Sequence, residues 1–207
     1  MMIKDLGPAV VSVWEGLRPM TKKMLVGVLE SSSAHSTGSS KQTFFYDAHT
    51  DLELRRLLSA LDEQSKKPGG TVDRERLDEV NRLAEICVRV LEAQSLSAEG
   101  FIQLAERAIK KHDYKHLDKL ADRLFERFAP VEIAEIVRQT ELAQIRALAY
   151  ETLAVLPVPA IAPLLDDPLY SEIAANALEQ KAYEFESDEA RDLLEQYDFG
   201  RDGRDEL

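Results

Sequence analysis

The chain has 207 residues, with 26 Lys and Arg against 38 Asp and Glu and a formal net charge of −12. So acidic a chain is a poor nucleic-acid binder, because the phosphate backbone needs a basic surface. Apolar residues make up 44% and charged residues 31%, which excludes a disordered chain and allows a substantial core in one large domain or two small ones.

The first pattern lies in residues 8–29. Val10, Val13, Trp14 and Leu17 fall at helical spacing, as do Met20, Met24 and Val28. Pro8 and Pro19 suit first-turn positions, where a missing amide proton costs little. Pro19 separates two short helices. Residues 1–30 therefore read as an amphipathic helical segment, with Trp14 as a candidate partner contact. Its apolar face needs cover from the chain's own body, from a second copy in a homodimer, or from a partner. Residues 9–14, AVVSVW, are too short to span a bilayer. A peripheral membrane anchor over residues 8–29 remains an alternative.

Residues 31–43 follow as a Ser-rich flexible linker. Six serines and no large apolar group within 31–42 cannot bury enough surface to offset the ordering entropy. Phe44-Phe45-Tyr46 read as a plug for the core of the main domain, with a docking point as the alternative. That domain, residues 44–199, reads as all-α, and residues 200–207 as a disordered tail. The terminal RDEL resembles an endoplasmic-reticulum retention tag, a chance match without a signal peptide.

Thr50 to Glu53 fits a capping box. Behind it Leu54, Leu57, Leu58 and Leu61 form a stripe, which KKPGG at 66–70 ends. The next stripe is Leu77, Val80, Leu83, Ala84, Cys87 and Leu91. Ser97 then caps a helix bearing Phe101, Ala105, Ala108 and Ile109. Cys87, the single cysteine, sits among apolar neighbours and reads as a buried structural thiol. It permits no intramolecular disulfide and fits a reducing compartment, the cytoplasm.

From Tyr114 the chain divides into three blocks of 28 residues, starting at Tyr114, Leu142 and Tyr170. Leu117, Ile145 and Ile173 fall in register. So do Ala121, Ala149 and Ala177; Ala134, Ala162 and Ala190; and Val137, Leu165 and Leu193. Alanine in register lets helices approach closely, and large aliphatics fill the space between stacked pairs. Each block reads as a longer helix, a break and a shorter helix. The middle block is apolar on nearly every side, as a central repeat should be, and the last turns acidic like a cap.

These blocks resemble the HEAT family of helical repeats, in its short bacterial form. The matching residues are Ile145-Arg146 with Ala149 and Leu153, then Pro159, Ile161, Leu164, Leu165 and Asp166-Asp167-Pro168. The third block departs, with Ala174 in place of the arginine and Lys181 where a large apolar residue is expected. The resemblance implies an α-solenoid that binds other macromolecules.

The stretch KHDYKHL at 111–117 carries two histidines four apart. His112 and His116 could hold a metal with a third ligand. The alternative is a helix corner. Lys110, Lys111 and His112 would end one helix, and Asp113 would cap the next, beginning at Tyr114. The corner accounts for every residue in the stretch. There is no phosphate-cradling glycine loop and no nucleophile elbow.

The functional expectation is a non-enzymatic scaffold or adaptor, without cofactor, in the bacterial cytoplasm. A metal-binding protein or enzyme centred on His112 and His116 is the alternative. Charge points to a protein partner with a basic segment. Residues 1–50 sum to +1 and residues 142–207 to −10. The candidate contacts are Glu132, Glu135, Asp166, Asp167, Glu189, Asp192 and Glu195, besides Trp14.

Overall fold

The computed structural model describes residues 6–33, 45–66 and 74–202, and every regular element among them is helical. Contacts divide the chain into two compact units, Met1–Ser95 and Leu96–Leu207.

The first unit holds α1 (Pro8–Gly16), α2 (Pro19–Ser33), α3 (Ala48–Lys66) and α4 (Arg74–Gln94). Both prolines stand at helix starts, as their missing amide proton favours. α3 and α4 form the principal pair. α1 packs on α3, and α2 lies against both α3 and α4. Leu54, Leu57, Leu58 and Leu61 are buried, as are Val80, Leu83, Ala84, Cys87 and Leu91. Each buried leucine contributes about 1.5–3 kcal/mol. Val10, Leu17, Met24 and Leu25 are buried too, whereas Val13, Trp14 and Val28 are half-buried and Met20 is 54% exposed, so the apolar face of residues 8–29 is covered in part. Of the expected linker, the backbone of 31–33 continues α2, and 34–43 lie outside the described residues.

Gly7 precedes α1 at φ 106, and a Cβ there would lie 2.7 Å from Gln64 Oε1. The left-handed backbone and the packed side chain both favour glycine. Arg18 fastens the start of α2 to the start of α3. Its Nη1 and Nη2 donate to the two oxygens of Asp47 at 3.0 and 2.6 Å, and Nη2 also donates to Thr50 Oγ1 at 2.8 Å. Its backbone N–H donates to Glu53 Oε1 at 2.9 Å. Arg18, followed by the Thr50 donors, holds the Asp47 carboxyl well below the usual carboxylate range.

Three readings of this region are corrected. The N-cap of α3 is Asp47, not Thr50: Asp47 Oδ1 accepts from the Thr50 N–H at 2.7 Å. Asp is at least as good a cap as Thr, and Glu53 is drawn away to Arg18 and the Thr21 hydroxyl. Phe45 does not plug a core; it is 69% exposed, while Tyr46 donates to Asp51 Oδ1 at 2.7 Å and Phe44 lies outside the described residues. Leu77 stands exposed near the start of α4, outside the buried stripe.

The second unit holds α5 (Ala98–Lys110), α6 (Tyr114–Arg127), α7 (Pro130–Gln139), α8 (Ala143–Val155), α9 (Val158–Ile161) with a 3-10 turn (Ala162–Asp166), α10 (Ser171–Glu184) and α11 (Asp188–Asp202). α6, α8 and α10 stack as one row, and α5 packs on α7 in another. Short helices pair with the long helix that follows: α5 with α6, α7 with α8, and the 3-10 turn with α10. α10 and α11 pair within the last block. This packing in neighbouring pairs is consistent with a helical repeat. Of the register positions, Ala149, Ala177, Ala134, Ala190, Ile145, Ile173, Val137 and Leu165 are buried, while Leu117, Ala121, Ala162 and Leu193 are half-buried. In the middle block the second helix breaks into α9 and a 3-10 turn. Pro163 has no N–H for the carbonyl of Pro159, so the α-ladder cannot continue. α11, expected to be short, has 15 residues against 14 for α10, and its backbone runs through 200–202, where a disordered tail was expected.

Cations close the C-terminal ends of three helices in turn. Arg146 Nη2 donates to Thr140 O beyond α7 at 2.6 Å, Lys181 Nζ to Ala154 O of α8 at 3.0 Å, and Arg191 Nη2 to Ala182 O of α10 at 3.2 Å. Unpaired terminal carbonyls and the negative end of the dipole favour such partners. Lys181, a departure from the apolar pattern of the repeat, thus has a structural task, with its ammonium also 5.7 Å from the Phe185 ring centroid.

Candidate functional site

The KHDYKHL stretch is a corner. α5 ends at Lys110, and His112 adopts φ 55. The Asp113 N–H donates to Ala108 O at 2.9 Å and the His112 N–H to Ile109 O at 3.0 Å, the bond pair of a Schellman end with His112 in the left-handed position. Asp113 then caps α6, accepting from the His116 N–H at 3.1 Å. His112 and His116 therefore stand on different elements and share no helical face. Among the described residues no group of three or more His, Cys, Asp or Glu is placed to hold a metal ion.

The candidate partner contacts fall into two sets. Glu132 and Glu135 serve the fold. Glu132 Oε2 accepts from the Ala98 N–H at 3.0 Å, satisfying an orphan donor at the start of α5 beside the Ser97 cap. Glu135 accepts from Arg138 Nε and Gln139 Nε2, each at 2.6 Å, and from the Tyr170 hydroxyl at 3.0 Å. Gln139 reaches on to Glu99 at 3.3 Å, so one network ties α5 and α7 to the start of α10. Arg138 pulls the Glu135 carboxyl down against its burial, with Gln139 and Tyr170 assisting, to about 2. Asp167 is half-buried and shapes the turn before α10, its Oδ1 accepting from the Leu169 N–H at 2.9 Å. Asp166, Glu189, Asp192 and Glu195 are exposed. Trp14 is half-buried in α1.

A further feature went unseen in the sequence. Between α8 and α10 runs an open trough of about 390 Å³, lined by Ala147, Tyr150, Glu151, Asn176 and Gln180. Ala147 in it stands where the first block has Lys119. On α8 the exposed Val155 lies one turn past Glu151. On α10 the face of Asn176 and Gln180 also carries Glu172, Glu179, Tyr183 and Glu184, all exposed. The small residue at a register position was the available signal.

Cys87 is fully buried, and burial pushes its thiol up to about 12. No helix among the described residues is long and apolar enough to cross a membrane. The class these features define is an all-α helical-repeat fold. The chain matches no protein family model, no curated protein and no solved structure.

Proposed function

We propose that the chain is a non-enzymatic protein-interaction module, its second unit a short solenoid of the HEAT type. Its acidic C-terminal blocks receive a basic segment of a protein partner. One observation carries this reading. Glu132 and Glu135 are engaged inside the unit, whereas Asp166, Glu189, Asp192 and Glu195 are turned to solvent in the part of the chain with a net charge of −10. Such a surface raises the association rate of a cationic partner. The fully buried thiol suits a reducing interior such as the bacterial cytoplasm.

The test begins with the tagged full-length chain as bait in its native organism, followed by affinity measurements on the purified partner. Attraction between exposed charges is screened over about 8 Å at physiological salt. The double substitution Asp192→Asn with Glu195→Gln should therefore weaken binding at low salt, with the difference shrinking as salt rises. An affinity that responds neither to salt nor to the double substitution refutes the proposal.

A further inference from the structure

We propose that the last block, α10 with α11, is a hinged terminal flap, pinned at the start of α10 and latched onto α8 by the Lys181 ammonium. The flap follows from packing and bonds alone and is independent of the interaction-module reading.

The pin lies in the turn before α10. The Tyr170 and Ser171 N–H groups donate to Asp167 O at 3.0 and 2.8 Å, and the Leu169 N–H donates to Asp167 Oδ1 at 2.9 Å. The Tyr170 hydroxyl ties that turn to Glu135 of α7 at 3.0 Å. Beyond the pin the anchorage thins. α10 meets α7, α8, α9 and the 3-10 turn, yet it buries only Ile173, Ala174, Ala177, Leu178 and Ala182. The two large aliphatics, Ile173 and Leu178, both lie in the first eight of its 14 residues. On the outer side α8 and α10 part along the open trough of about 390 Å³. A terminal repeat has a neighbour on one side only, so its opening costs less than that of a block inside the stack.

The latch lies toward the far end of α10. Lys181 Nζ donates to Ala154 O at 3.0 Å, and the Phe185 ring centroid is 5.7 Å from the same ammonium. The positions in register with Lys181 hold Phe125 and Leu153, so lysine here puts one directed bond where the other blocks have an apolar side chain. At 1.5 Å per residue, Lys181 stands about 15 Å along the helix from Ser171, and a swing of about 15° moves it about 4 Å. That breaks the bond to Ala154 while the Tyr170 pin holds. α11 travels with α10, because Arg191 Nη2 donates to Ala182 O at 3.2 Å and Ala190 is fully buried. The trough is the gap that the swing widens.

The experiment is native-state hydrogen exchange of the full-length chain, read by mass spectrometry. In the wild type the amides of residues 171–197 should exchange through an opening that leaves α5 to α8 protected. Lys181→Met removes the donor and keeps an unbranched stem. It should quicken exchange of 171–197 by about tenfold, equivalent to about 1.4 kcal/mol, and leave α5 to α8 within about twofold. Lys181→Arg, which keeps a charged donor, should restore most of the protection. Melting curves followed by circular dichroism establish that both variants fold. Uniform exchange of α5 to α11 in the wild type overturns the flap, whatever the variants do. Unchanged exchange in Lys181→Met overturns the latch. So does slower exchange, which would mark an ordinary packing position, and so does equal quickening in α5 to α8.

Discussion

Replacing Ala149 by leucine tests the stacking of the second unit directly. Ala149 is fully buried in α8, which packs against α6, α7 and α10. With Ala149 sealed from solvent, an added isopropyl group must displace packed neighbours, at a cost of about 1–3 kcal/mol. Ala121 holds the same register position in the first block but is half-buried. Leucine there should cost less than about 1 kcal/mol, because part of the new side chain can turn to solvent. With a urea slope of about 2 kcal/mol per molar, the Ala149 variant should lose about 0.5–1.5 M in its unfolding midpoint. The assay is urea titration followed by far-ultraviolet circular dichroism. Trp14, the single tryptophan, lies in α1 of the first unit, so its fluorescence reports that unit alone. The Ala149 variant should show an early loss of ellipticity while the Trp14 transition stays in place. A wild-type midpoint for Ala149→Leu, or an equal loss from Ala121→Leu, would refute the close-packing argument.

Three further predictions follow from single side chains. The Glu135 carboxyl is lowered from its ordinary 4.5 to about 2, chiefly by Arg138. A lowered carboxyl stabilises the folded state above its unfolded pKa, and that contribution is lost as pH falls through the folded one. The gap in melting temperature between wild type and Glu135→Gln should thus be full above pH 4.5 and close as pH approaches 2; a gap independent of pH would count against the network. His112→Gly should stabilise the chain by about 0.5–1 kcal/mol, the left-handed penalty relieved less the entropy of glycine, as read by urea unfolding. An unchanged or lower stability would mean that the imidazole supports the corner by contacts of its own. Cys87, buried with its thiol pushed up to about 12, should react with Ellman's reagent at the rate of unfolding, and rapid labelling of the native chain would contradict that burial.

The helices were legible because apolar spacing is local information. Leu54, Leu57, Leu58 and Leu61 announce a face whatever lies opposite, and Asp113 and Ser97 announce caps. The 28-residue register placed Ala149 and Ala177 at helix contacts before any packing was visible. The choice of cap for α3 was not legible. Asp47-x-x-Thr50 and Thr50-x-x-Glu53 satisfy the same spacing, and a residue 35 positions away decides between them, since Arg18 takes Glu53. Phe45 was misplaced because apolar character favours the interior without forcing it. The cover for α1 and α2 was left open for the same reason. A stripe states that a face needs burial, but not by what.

The candidate surface shows how function separates from composition in such a fold. Glutamates look alike in sequence, yet Glu132 fills an orphan donor, Glu135 holds three partners, and Glu151 and Glu179 face water. Counted by composition, α8 and α10 together hold four acids, Glu151, Glu172, Glu179 and Glu184, against two cations, for a sum of −2. Arg146 and Lys181 each bond a carbonyl at a helix end, while all four acids are exposed. Terminal carbonyls in a helical repeat must find donors, and here the donors come from later helices of the same stack.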